Sequence, residues 1–331
     1  MRRCEFITLI GALVAALSLA TCVEPAGAQS TVPQKRLGLL SGFGCSRGTL
    51  ARRLAELGWI EGRTLIYDCV ATISSPDPDQ LTLLATELIA RRPDVLVTGP
   101  STYVRTLKQA TTTIPIVMAS TPDPVEAGLV TNLPRPEANV TGVAQSGADT
   151  TSKRMQMLKQ MLPRLERLAI IWWAKSDPRF IARTEKDVTD AASTLGFTWQ
   201  AFRAGVPEDY DRIFAGLAAE GFDAAYVPPS PLSYANLARI AGLGRRHRIL
   251  TLGDHPIFAK SGFLLTYGED PNRSVERAAE YVDKLFHGSR PGDLPVEQPT
   301  TFELAINVKT AKELDFNVPP ALLALATQVI D

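Results

Sequence analysis

Apolar residues along this chain fall into short runs, separated by longer stretches in which they recur every three or four positions. The first pattern predicts strands buried on both faces, and the second predicts amphipathic helices. Strands are predicted over 36–40, 64–70, 94–98, 116–119 and 140–142, with helices over 49–57, 78–91, 101–111 and 124–133 between or beside them. Leu81, Leu84, Ala85 and Leu88 form the apolar face of the second helix, and Gly58 is placed to close the first. The rhythm pauses near 141–146 and restarts. Helices over 151–162, 178–195, 209–220, 232–246 and 271–286 then alternate with strands over 167–173, 198–202, 224–227, 249–252 and 263–267. The tail carries one strand near 303–307 and two short helices. Alternation of this kind predicts α/β architecture with parallel sheets built from βαβ units. Roughly ten strands divide more naturally into two sheets than one. Ligands of open α/β sheets bind beyond the carboxyl ends of the strands, so two such lobes facing each other enclose a cleft.

The first 28 residues stand apart from this rhythm. Arg2 and Arg3 precede an apolar run over 7–20, and Ala26-Gly27-Ala28 supplies small residues at a cleavage point before Gln29. That is the layout of a cleaved secretory signal peptide, which places the mature chain in the periplasm. Arg2-Arg3-Cys4-Glu5-Phe6-Ile7 also resembles a twin-arginine signal, while Cys22 after Leu19-Ala20-Thr21 is a second-ranked lipoprotein site. No later stretch is long and apolar enough to span a bilayer.

Charge and motif content narrow the function. The 331 residues include 35 basic and 35 acidic side chains, so no net field draws the protein to nucleic acid. The sequence lacks a G-x-S-x-G elbow, a P-loop and a G-x-G-x-x-G turn after a strand, and His247, His255 and His287 lack metal-ligand spacing. The expectation is a binding protein without cofactor or metal rather than an enzyme.

Candidate ligand contacts are the side chains at predicted strand ends. Ser41 and Phe43 belong to the loop after the first strand. Ser101 and Thr102 open a helix, where free backbone N–H groups attract an anion; a simple capping role competes with that reading. Thr121 and Asp123 sit in a loop stiffened by Pro122 and Pro124, and Asp123 offers a carboxylate to an ammonium group or to the next helix start. In the second half, Trp173, Ser230, Asp254 and Tyr267 fall at or just after strand ends. Trp173 or Phe43 could stack on a planar ligand, although one of Trp172 and Trp173 must face the core of an alternating strand.

Several segments together carry a family resemblance. They are Glu56-Leu57-Gly58-Trp59-Ile60-Glu61-Gly62-Arg63, Thr112-Thr113-Ile114-Pro115-Ile116-Val117, Pro122-Asp123-Pro124-Val125-Glu126-Ala127-Gly128-Leu129-Val130, Asn139-Val140-Thr141-Gly142-Val143, Pro299-Thr300-Thr301-Phe302-Glu303-Leu304-Ala305-Ile306-Asn307 and Lys309-Thr310-Ala311-Lys312. In this order they resemble ABC-transporter substrate-binding proteins of the group that includes tryptophan and tyrosine binders. The resemblance implies the type I periplasmic-binding-protein fold: two Rossmann-like lobes, a three-segment hinge and closure on the ligand. It assigns 29–142 plus 269–292 to one lobe and 143–268 plus 297–331 to the other. It also implies a monomeric receptor that hands a small amino-acid-like or aromatic solute to an inner-membrane ABC permease. A ligand sensor of the same fold, reporting to a membrane protein, is the alternative.

Cys45 and Cys69 lie outside the family pattern. In a Rossmann-like lobe the first two strands are neighbours, which brings Cys45, after the first, close to Cys69, at the end of the second. An exported protein meets an oxidising compartment, so a disulfide between them is expected, with two buried thiols as the other possibility.

Overall fold

In this computed structural model, residues 33–42, 45, 48–72, 78–145 and 148–331 are described. The signal segment and Phe43 lie outside the described residues. The elements of the first half are β1 (Lys35–Ser41), α1 (Thr49–Glu56), β2 (Leu65–Ala71), α2 (Pro78–Ala90), β3 (Val95–Thr98), α3 (Ser101–Ala110), β4 (Ile116–Thr121) and β5 (Val140–Ala144). Next come α4 (Ala148–Met161), β6 (Arg167–Trp173), α5 (Pro178–Leu195), β7 (Thr198–Ala204), α6 (Pro207–Ala219), β8 (Ala224–Tyr226), α7 (Pro231–Ala235), α8 (Leu237–His247), β9 (Leu250–Gly253), α9 (Pro256–Lys260), β10 (Leu265–Gly268) and α10 (Pro271–Phe286). The tail consists of β11 (Glu303–Asn307), α11 (Val308–Glu313), α12 (Pro320–Leu325) and β12 (Gln328–Ile330).

These strands form two sheets, ordered β2-β1-β3-β4-β5 and β12-β11-β10-β9-β8-β6-β7. Read from β7, the second sheet begins 7-6-8-9-10, which repeats the order of the first. Both are therefore doubly wound, with the crevice for a ligand at the carboxyl edge where the winding reverses. β3, β5, β8 and β9 are buried along their whole length. Helices on both faces demand such continuous apolar strands. One face of the first sheet packs against α2 and α3 through Leu81, Leu88, Val104 and Leu107. Its other face packs against α1 and α10 through Leu50, Leu54, Ala278, Tyr281 and Val282. The second sheet has two apolar clusters of its own, centred on Trp172, Leu168 and Met155 and on Phe214, Phe258 and Phe263.

The chain passes between the sheets after β5, returns after β10, and crosses again before β11. Two of these crossings lie side by side: Ala144 N donates to Glu297 O at 2.8 Å, and Glu297 N to Gly142 O at 3.0 Å. Gly142 has φ +126°, and a Cβ there would lie 2.4 Å from Met118 O, so only glycine fits. Arg277 of α10 holds the Glu297 carboxylate through Nε and Nη2, each at 2.6 Å.

The structure departs from the sequence-based expectations in four places. Residues 124–133 make one turn and stop, because Gly128 adopts φ +68° and hydrogen bonds from Ala127 and Leu129 close back on Asp123 and Pro124. The helix over 232–246 breaks at Asn236, whose φ of −126° separates α7 from α8. The elements α9 and β12 were not predicted; at five and three residues, each is too short to show a period of its own. β11 runs antiparallel to β10, so the second sheet is mixed.

Candidate functional site

A partly open cavity lies at the carboxyl ends of β8, β9 and β10 beside the crossings. At its centre is Arg154 of α4, only 3% exposed. Met155, Leu158 and Met161 anchor the helix in the core, which turns Arg154 into the sheet edge. Its guanidinium donates from Nε to Tyr267 O at 2.9 Å and from Nη1 to the Tyr226 hydroxyl at 3.0 Å. Nη2 pairs with Asp254 Oδ2 at 3.0 Å. The guanidinium carbon also stands 5.2 Å from the centre of the Tyr226 ring.

Burial raises the pKa of Asp254, against which the charge of Arg154 and the adjacent Tyr226 hydroxyl act. Burial lowers the pKa of His255 to about 3, with Arg154 adding to the effect, so the imidazole is neutral at physiological pH. Its Nδ1 is hydrogen-bonded to the Tyr234 hydroxyl. Glu269, just past β10, is pushed up to about 7, chiefly by burial and further by Asp254, while Ser120 and Arg154 oppose the shift. Its Oε1 accepts a 2.8 Å hydrogen bond from Ser120 Oγ of β4. This bond links the two sheets across the cleft. Ser120 reaches it from a bulge in β4, with φ +65°. Gly268 lets the β10 end approach Asp254, since a Cβ would lie 2.4 Å from Asp254 O.

The walls are aromatic. Phe180 of α5 packs edge-on against Trp172, with centroids 5.8 Å apart. Phe302 stacks on Tyr267 at 6.0 Å. Gln145, Thr150, Thr151 and Thr184 add polar lining.

Among the predicted contacts, Asp254 lines this cavity. Tyr267 stands behind it, lending its carbonyl to Arg154 and its ring to Phe302. Trp173 is not among the described lining residues, and its neighbour Trp172 is the core residue, donating from Nε1 to Glu185 at 3.0 Å. Ser230 caps α7, accepting from Ser233 N at 3.0 Å. Ser101 Oγ donates to Pro122 O and Thr121 Oγ1 to Gly99 O, so both hydroxyls tie strand-end loops together. Thr102 is exposed on the first turn of α3, and its carbonyl accepts from Thr106. Ser41 ends β1, where its carbonyl accepts from Thr72 N. Asp123 pairs with Arg183 of α5, which also reaches Glu126 at 3.2 Å. Cys45 and Cys69 are joined as a disulfide with Cα atoms 5.8 Å apart, and the pairing of Leu39 with Cys69 places Cys69 beside the carboxyl end of β1.

Arg154, Glu269, Phe180 and Phe302 were missed from the sequence. Arg154 carried a signal, because it interrupts the apolar face of α4 at the spacing of Thr151, Leu158 and Met161. Glu269 carried another. Asp270 already caps α10 by accepting from Asn272 N at 3.0 Å, which leaves the preceding carboxylate without a capping role.

Two doubly wound lobes, crossed three times and meeting at a charged, aromatic-walled cavity, define a solute-binding protein of the type I periplasmic fold. The chain belongs to the ABC transporter substrate binding protein family, whose model matches residues 45–330. A tyrosine-binding protein of Clostridioides difficile (strain R20291) is 24% identical over 233 residues, 70% of this chain. The match spans 66% of that relative's own length. Among solved structures, an ABC domain from Streptococcus pneumonia in complex with L-Trp superposes with a TM-score of 0.78 at 21% identity, covering 90% of this chain and 100% of the other. A conserved domain protein of Vibrio cholerae gives 0.79 at 23% identity, with 89% and 99% covered.

Proposed function

We propose that this protein is an extracytoplasmic receptor that captures a small amino-acid-like or aromatic solute in the cavity at the lobe crossings and presents it to an ABC permease. The observation that carries the reading is the pairing of one compact charged cluster, Arg154–Asp254–Glu269, with the rings of Phe180, Phe302 and Tyr226. Such a site suits a solute with one charged end and one flat apolar end. The L-Trp complex and the tyrosine-binding relative support that class of ligand. ABC substrate-binding proteins act outside the cytoplasm, and among the described residues no helix is long and apolar enough to cross a membrane. The cysteine pair supports the same compartment. Ser120 and Glu269 already bridge the lobes beside this cavity, and hinge motion about the crossings would admit and release the solute.

A thermal-shift series tests the reading, since a ligand of the folded state raises the melting temperature by mass action. Aromatic amino acids at millimolar concentration are expected to raise it. A rise with sugars or metal ions and none with amino acids would refute the proposal.

A further inference from the structure

Two oxygens in this cavity have no hydrogen-bond partner: Asp254 Oδ1 and Glu269 Oε2. Both residues line the cavity, and both are more than nine-tenths buried, at 9% and 6% exposure. Their other oxygens are occupied, Asp254 Oδ2 by Arg154 at 3.0 Å and Glu269 Oε1 by Ser120 at 2.8 Å. A buried acceptor without a donor is costly, and the cost is greater when the group is ionised. Two such acceptors facing one space mark the seat of a missing donor.

Charge points to the same donor. Asp254 and Glu269 face Arg154 as the one cation among the described lining residues, because His255 is neutral. Arg154 already serves Tyr267 O, the Tyr226 hydroxyl and Asp254. A ligand carboxylate entering here would meet two carboxylates and a guanidinium engaged elsewhere. A ligand ammonium would meet two unfilled acceptors and cancel the excess negative charge.

We infer that Asp254 and Glu269 receive a protonated primary amine, so that the cavity recognises its solute by the amine end and accepts an aromatic monoamine that has no carboxylate. This rests on the functional reading above and specifies it further. Glu269 has a second part in the arrangement. Ser120 orients its carboxylate from the other sheet, so the amine site is assembled only when the two lobes meet.

Calorimetric titration of the whole protein at pH 7.5 with two ring series tests the inference. One series is L-tyrosine, tyramine and 3-(4-hydroxyphenyl)propionate; the other is L-tryptophan, tryptamine and indole-3-propionate. In the series whose amino acid binds, the amine is expected within about tenfold of the amino acid and the propionate at least about a hundredfold weaker, the scale of an unpaired buried charge. A propionate within tenfold of the amine, or better than it, overturns the inference and leaves the functional reading standing. Loss of both single-ended compounds while the amino acid still binds overturns it too. Silence from all six compounds overturns the functional reading and the inference with it. Glu269→Gln supplies the second arm, because it keeps the shape and replaces an acceptor by an amide. Amine affinity is expected to fall about tenfold or more while the ligand-free variant melts no lower than the parent. Unchanged amine affinity in a folded variant overturns the role given to Glu269.

Discussion

At the carboxyl ends of the second sheet, Arg154, Asp254 and Glu269 are charged side chains carried into a buried site, with two oxygens left unfilled. At the carboxyl ends of the first sheet, Thr98, Ser101 and Thr121 give their hydroxyl donors to the carbonyls of Leu40, Pro122 and Gly99. The second region holds buried charges that pair mostly with other side chains, Arg154 also reaching the Tyr267 carbonyl, and it leaves two carboxylate oxygens unfilled; the first uses its polar groups to lash its own loops together. The hydroxyls of Thr98, Ser101 and Thr121 are thus already spent on backbone carbonyls, whereas the buried charges of the second sheet line the cavity. The first sheet still contributes to the site, through Ser120 and through Gln145.

The comparison is broken most severely at Arg154. Replacing it by methionine preserves bulk but strands Asp254 as an uncompensated buried carboxylate. Removing one partner of such a pair typically costs about 3–5 kcal/mol. Arg154→Met is expected to lower stability by that order in chemical denaturation and to abolish solute binding. Ser101→Ala and Thr121→Ala, each losing one hydrogen bond, are expected to cost about 1 kcal/mol apiece and leave binding within a few-fold. If the two alanine variants lost binding and Arg154→Met kept it, the assignment of roles to the two regions would be reversed.

The disulfide comes next. Cys45 and Cys69 are 24 positions apart. Closing a loop of that size stabilises by roughly 3 kcal/mol in the chain-entropy model. Reduction, or the double replacement by alanine, is expected to remove stability of that order. The loss should fall on the β1–β2 edge of the first sheet, so amide exchange there should rise while exchange in β8 and β9 stays unchanged. Thiol counting on denatured, unreduced protein is expected to find neither cysteine free.

How much of this was legible in the sequence follows from which forces act locally. The alternation of elements was readable because each strand and helix announces its own burial pattern, as in β3, buried at all four positions, or α2 with its Leu81–Ala85–Leu88 face. The 124–133 turn was misread because its apolar spacing imitates a helix and only the positive φ at Asp123 and Gly128 stops it. β12 has three residues, too few to show a period. Of the site, Asp254 was legible as a charge at a strand end. Phe302 was not, because it lies before β11, at the amino end of a strand that runs antiparallel to its neighbour. Only that reversal carries it to the carboxyl edge. Arg154 sits on a helix rather than a strand end, where the rule about sheet edges does not look.

A smaller effect concerns pH. Glu269 rises from an ordinary carboxyl value of 4.5 to about 7 on folding, so its neutral form is the one the fold prefers. The charged and titratable groups around it are Asp254, Arg154, Asp270, Tyr234 and the neutral His255. Its contribution to stability is fully present below about pH 4.5 and is lost as pH rises through about 7. His255 acts in the opposite sense, its contribution declining as pH falls from 6.5 toward 3. The difference between Glu269→Gln and the parent isolates the first term. It is expected near zero at pH 4 and to grow in the variant's favour to at most about 3 kcal/mol by pH 8 in the ligand-free protein. A flat difference across that range would show that the Glu269 carboxyl titrates as an exposed group.

The mildest perturbation is at the cleft's outer tie. Arg183 of α5 pairs with Asp123 and Glu126, which belong to the loop beyond β4, so this cluster joins the two lobes as the Ser120–Glu269 bond does. It differs in exposure: the Arg183 side chain is 27% exposed and that of Glu126 74%. Water and salt reach it, and pairs of that kind are worth about 0.2–1 kcal/mol. Phe180 and Thr184 flank Arg183 on the same helix and line the cavity, so the tie also steadies that wall. Arg183→Ala is expected to leave the melting temperature of the ligand-free protein within a few degrees of the parent and to weaken solute binding by no more than about fivefold. The change should appear in the dissociation rate, since the tie holds the two lobes together beside the cavity. It should also shrink as salt is raised from about 0.05 to 0.5 M, because screening weakens the parent's ion pair and the variant has none to lose. An affinity loss that persists undiminished at high salt would mean that Arg183 acts by packing, and would remove the distinction drawn between the exposed tie and the buried one.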